Sequence, residues 1–169
     1  MSTIVPQPVT ISGARFEETS TTALFAVGEA CEDSWGGKWK YVQAQGALSI
    51  NSVGKVDNDG QLIPCTTTVS GAEPTMIGIP QVAFADNAYG WVFVGPGGGV
   101  GSGIKVLALT LCATNVKLYT TATAAPDCAV DDTATDLIAG LTLCTTNAAG
   151  GTVATECFAA TTMCTNCQD

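Results

Sequence analysis

From Trp39 onward the chain is a series of short apolar runs cut by Gly, Pro, Asn and Asp, the punctuation of a sheet protein with tight turns. The runs predict strands over 39–44, 47–56, 76–85, 89–94, 104–111, 116–122, 137–143 and 152–159, with little helix. In Tyr89-Gly90-Trp91-Val92-Phe93-Val94, large rings alternate with small or aliphatic residues, as in a half-buried strand. Between Val56 and Leu62, Asp57-Asn58-Asp59-Gly60 supplies the residues that tolerate positive φ, so it predicts a hairpin turn. A calcium loop of the EF-hand type would place its glycine two residues later and needs a following glutamate, so the turn is the reading taken.

Upstream the pattern is different. Residues 1–15 carry Pro6 and Pro8 among β-branched residues and predict an extended arm; Ile4, Val5, Val9 and Ile11 would then bury against a neighbouring copy. Residues 16–30 place Phe16, Ala23, Leu24 and Val27 at partly helical spacing, but the intervening threonines and serine leave that segment open. The division expected is an arm at 1–15, a β-rich module at 16–105, and a Thr/Cys-rich β region at 106–169 that is either part of the same domain or a second small one. Within the last region Leu109-Thr110-Leu111-Cys112-Ala113-Thr114-Asn115 recurs as Leu141-Thr142-Leu143-Cys144-Thr145-Thr146-Asn147. Two equivalent strands of one sheet are expected, each with its leucines on one face.

Composition narrows the function classes. At 169 residues, 46% apolar and 12% charged, the chain is long enough for a real core and lacks the signature of disorder. Six basic residues face fifteen acidic ones, for a net charge of −9, and no basic run could neutralise a row of phosphates. Nucleic acid and anionic membrane surfaces are therefore not expected as partners. The N-terminal residues lack the features of a secretory signal, and no apolar window is long enough to span a bilayer.

Catalytic chemistry has little to work with. The chain has no histidine, which removes the commonest general base and the usual Ser and Cys triads. Asp131-Asp132 are sequence neighbours, and neighbours in an extended strand point to opposite faces, so they read as a solvated loop. The stretch Gly95-Pro96-Gly97-Gly98-Gly99-Val100-Gly101-Ser102-Gly103 lacks the Gly-Lys-Ser/Thr of a P-loop and the spacing of a dinucleotide fold, and predicts a flexible loop. No catalytic, cofactor-binding or metal-binding residue is assigned, and no cofactor is expected.

Eight cysteines, an even number, predict some disulfides: Cys31, Cys65, Cys112, Cys128, Cys144, Cys157, Cys164 and Cys167 are the candidates. Cys112 and Cys144 share one place in the repeat and are expected to lie close together, with Cys164 and Cys167 tied to each other or to Cys157. Thiols made in a cytoplasm but ending outside a cell can oxidise after release, a history that fits a virion protein.

Several segments together resemble a known family. They are Trp39-Lys40-Tyr41-Val42-Gln43-Ala44 before Gly46, Ile77-Gly78-Ile79-Pro80-Gln81-Val82-Ala83, and Tyr89-Gly90-Trp91-Val92 before Gly95. Leu118-Tyr119-Thr120-Thr121-Ala122-Thr123-Ala124 follows, with Val130-Asp131-Asp132 and Ile138-Ala139-Gly140 behind it. In order and spacing they resemble the capsid decoration, or cement, proteins of tailed phages; the cysteines depart from that pattern. The resemblance implies an antiparallel β-barrel or sandwich on the outside of the capsid, made in the host cytoplasm, bound to the major capsid protein and to itself as a homotrimer, without catalysis. The rival expectation, from threonine-rich strands, acidity and cysteines, is a secreted or surface-displayed, disulfide-stabilised β-domain that acts as an adhesin or binds carbohydrate.

Overall fold

The computed structural model describes residues 8, 11–65, 75–109, 112–120, 129–130, 137–147 and 153–165. All regular elements among them are strands: β1 Thr19–Ser20, β2 Ala30–Glu32, β3 Lys38–Ala44, β4 Gly54–Val56, β5 Gln61–Pro64, β6 Thr75–Pro80 and β7 Tyr89–Phe93. Then come β8 Gly97–Gly98, β9 Lys105–Ala108, β10 Leu118–Thr120, β11 Ala129–Val130, β12 Leu137–Leu143 and β13 Val153–Thr165. The mainly β expectation holds.

The pairings close on themselves. β3 runs parallel to β5; β5 pairs antiparallel with β4, β4 with β6, β6 with β7, and β7 with β3, making a closed, mixed, five-stranded barrel. Inside it sit Val42, Ala44, Val56, Leu62 and Val92. A ring of five strands leaves room for only part of the interior rows to carry full side chains. Gly54 and Gly78 fit this limit: a Cβ at Gly54 would lie 2.5 Å from Leu62 Cδ1, and one at Gly78 2.8 Å from Val56 and Val92.

The same circuit is then traced a second time. β9 runs parallel to β11; β11 pairs antiparallel with β10, β10 with β12, β12 with β13, and β13 with β9. Strand for strand, in the same chain order and with the same single parallel pair, β9–β13 with β8 omitted from the count repeat β3–β7. Register places Ala108 where Ala44 stands and Thr120 where Val56 stands, each 64 residues later. The two circuits are joined by β6 against β13 and by Gln81, whose side-chain amide donates to and accepts from the Lys105 backbone at 2.8 and 2.9 Å. One apolar cluster runs through both, from Trp39 and Trp91 to Val106, Leu118 and Leu143.

The outer faces of the two circuits differ in a way that explains their surroundings. Facing pairs on β3 and β7 are Trp39–Phe93 and Tyr41–Trp91, and the segment before β2 covers them. Phe16 stacks on Trp39 at 4.0 Å between ring centroids, while Phe25 meets Tyr41 and Trp91. Each such aromatic contact adds about 0.5–1.5 kcal/mol to the area buried. In the second circuit the position of Tyr41–Trp91 is held by Lys105–Glu156, a pair suited to solvent.

Several expectations need correction. Residues 16–30, left open by their sequence, form turns around β1 that supply Phe16 and Phe25 to the core. Of the segment expected as an arm, the described residues belong to the fold: Pro8 bridges to Asp33, Ile11 packs on the core and Ala14 is buried in it, while residues 1–7, 9 and 10 lie outside the described residues. The predicted strand over 47–56 is a strand only at β4, because Asn51 turns the chain with φ 64°. The second repeat copy enters β12, whereas the described part of the first, Leu109 and residues 112–115, lies beyond β9 outside any strand.

Candidate functional site

Alternation along β3 puts Lys38, Lys40, Val42 and Ala44 on one face, and Val42 and Ala44 point into the first barrel. The interior row therefore changes from apolar to cationic as it leaves the barrel. At that mouth lies a recess of about 520 Å³. Lys38 and Lys40 stand on its rim with Glu32; Met76 and Val94 of the barrel interior and Trp39 and Cys31 of the aromatic cluster line its depth. Neither lysine ammonium has an ion pair or hydrogen bond among the described residues.

The turn from β2 to β3 beside this mouth is built on Asp33, which is buried. Its Oδ1 accepts from the backbone N–H of Trp35 at 2.8 Å and of Gly37 at 2.9 Å, and its Oδ2 accepts from Trp39 Nε1 at 2.8 Å. Gly37 cannot be larger, since a Cβ there would lie 2.5 Å from Asp33 Oδ2. The turn holds Trp35 46% exposed, while Trp39 and Trp91 are each 1% exposed.

The glycine stretch is a loop only in part. Gly97 and Gly98 form β8 against Phe158 and Ala159, and the Gly99 N–H donates to the Cys157 carbonyl at 2.8 Å. The Gly101 N–H reaches both carboxylate oxygens of Glu156 at 3.1 Å. It is a clasp across β13 whose tip, Val100 and Gly101, is exposed.

Cys31, Cys144 and Cys157 carry free thiols, which corrects their place among the disulfide candidates and removes the Cys112–Cys144 and Cys157–Cys164 bridges. Burial pushes the Cys31 thiol up to about 12, with Asp33 and Glu29 adding to it. Burial raises Cys157 as well, helped by Cys144 and Glu156, and burial and Glu156 raise Cys144. Thiols shifted this way are poor nucleophiles. Cys65 and Cys112 are buried in the core. Cys164 is disulfide-bonded, and Cys128, Cys167 and Asp131-Asp132 lie outside the described residues.

Among the described residues no three Cys, Asp or Glu side chains converge as a metal site. The Asp57 turn forms as expected: its carboxylate accepts from the N–H groups of Asp59 and Gln61 at 3.0 and 2.8 Å. Sequence reasoning missed the recess, because its two lysines gain meaning only once their row is known to enter a closed barrel. No family model, no curated protein and no solved structure matches this chain.

Proposed function

We propose that this chain is a non-enzymatic structural protein that decorates the outside of a tailed-phage capsid and strengthens the lattice by binding the major capsid protein and its own copies. The observation that carries the reading is how the acidic side chains are used. Asp33, Asp57, Asp86, Glu29 and Glu156 each accept a hydrogen bond from a backbone N–H of a turn or loop. Carboxylates used in this way make rigid connections between strands, which suits a load-bearing module. The family resemblance of the segments from Trp39 to Gly140 points the same way.

The test is stoichiometry. Washed, purified particles should contain the chain in copy number of the same order as the major shell protein, and deletion of residues 1–7 should lower its retention on heated particles. Absence from particles, or a few copies each, would overturn the reading. A second reading, a surface-displayed binding domain, is favoured by Trp35, an exposed ring on a turn fixed by three hydrogen bonds. Glycan binding lost in Trp35→Ala, from a chain absent from particles, would establish it instead.

A further inference from the structure

We propose that the mouth of the first barrel is a binding site for a small anionic amphiphile, a ligand with a carboxylate head and a short aliphatic tail. Barrel mouths are among the places where proteins hold small ligands, and a recess of about 520 Å³ lies within the size range of such sites. Its chemistry is ordered from rim to depth. Lys38 and Lys40 leave the barrel on the same face as Val42 and Ala44, so a head group at the lysines directs its tail toward Met76 and Val94.

Charge complementarity selects the head group. The chain is strongly acidic, with six basic residues in all. Two of them share this rim, and neither ammonium makes an ion pair with a described carboxylate, Glu32 being the cross-strand neighbour of Lys38. Glu32 on the same rim disfavours a polyanion, and the apolar depth disfavours a bare inorganic anion. A single carboxylate with a hydrocarbon tail satisfies both ends. Nothing in this assignment depends on whether the chain sits on a shell.

The experiment is a titration of the isotopically labelled full chain with octanoate, followed by NMR, with 1-octanol as the uncharged control. Saturable shifts centred on Ala30, Lys40, Met76 and Val94 are expected, with octanol binding about tenfold more weakly or less. Lys38→Ala/Lys40→Ala should weaken octanoate by about tenfold while leaving octanol unchanged, as expected for partly screened charges at a rim. Lys38 is exposed and Lys40 half-buried at the rim, and an unchanged thermal midpoint shows that the variant is folded. Shifts scattered over the molecule, equal affinity for the two probes, or an unaffected double variant would each overturn the assignment.

Discussion

The hydroxyls of Thr114 and Thr146 lie 2.8 Å apart, and these two residues occupy the same place in the two copies of the seven-residue repeat. The Thr114 N–H also points at Thr146 Oγ1, at 3.3 Å. Their neighbours behave differently. Asn147 is buried, and its Nδ2 donates to the carbonyls of Ala108 and Leu109 at 2.9 Å each, whereas Asn115 is exposed with φ 59°. The repeat copies thus meet as partners at the end of the second circuit, with one asparagine tying the joint and the other turning the chain.

Asn147→Ala should therefore destabilise by about 2–3 kcal/mol, since it leaves two carbonyls short of their donor in a buried place. Asn115→Ala should remove only about 1 kcal/mol, the strain of a left-handed alanine. Urea unfolding of the two variants measures the difference. Equal losses would show that Asn147 is not the tie.

For Asp33, one carboxylate satisfies two backbone donors and the Trp39 indole. Asp33→Ala should destabilise by about 3 kcal/mol or more, and Asp33→Asn by less, because a single carbonyl oxygen remains while the amide NH₂ faces a donor. Loss of the β2–β3 turn would also free Trp35, read as a fall in its fluorescence anisotropy. A stable Asp33→Ala protein with unchanged anisotropy would contradict this account.

What was legible in the sequence was local. β3, β7 and β12 match their predicted runs because each alternates large apolar residues with polar or small ones, and the Asp57–Gly60 turn was legible in its residue types. The closure of the barrels was not. It depends on the parallel neighbours β5 and β11, of which one ends in Pro64 and the other spans Ala129–Val130, too short to show a period. Nor was the 64-residue duplication visible: equivalent outer positions hold Tyr41 and Trp91 in one circuit, Lys105 and Glu156 in the other. The conspicuous repeat at a spacing of 32 joins non-equivalent positions and draws attention away from the real one. The recess shared this fate, since a Lys-Trp-Lys triplet reads as ordinary strand alternation until the barrel gives its two faces different surroundings.

In the glycine clasp, position decides the effect of adding a methyl group. A Cβ at Gly98 would run into the Cys157 carbonyl, with φ already at +85°, whereas at Gly101 there is open space and only the φ of +80° to strain. Gly98→Ala should lower stability by about 2–4 kcal/mol and Gly101→Ala by about 1 kcal/mol. Hydrogen exchange at the Gly99 amide should accelerate in the first and not the second. Similar exchange in both would mean that β8 is not held by β13.

Alkaline pH should weaken the fold through its buried thiols. Cys31 is held near 12 and Cys157 is also raised, from an ordinary value of 9.0, because burial disfavours the thiolate. Above pH 9 the unfolded chain releases these protons while the folded chain keeps them. The unfolded state then binds fewer protons, so stability falls as pH rises, and below pH 9 the two thiols contribute no slope. For Cys31 the loss is complete near pH 12. Urea midpoints measured from pH 7 to 11 should be flat for these groups up to about pH 9 and then decline. Cys31→Ala and Cys157→Ala should each start from a lower midpoint, the second more so because it opens a gap in a fully buried place, and each should decline less steeply. Iodoacetamide at pH 8 should label half-buried Cys144 before either of them. A variant whose alkaline slope equals that of the parent would show that its thiol is ionised in the folded protein, and the burial argument for that cysteine would fail.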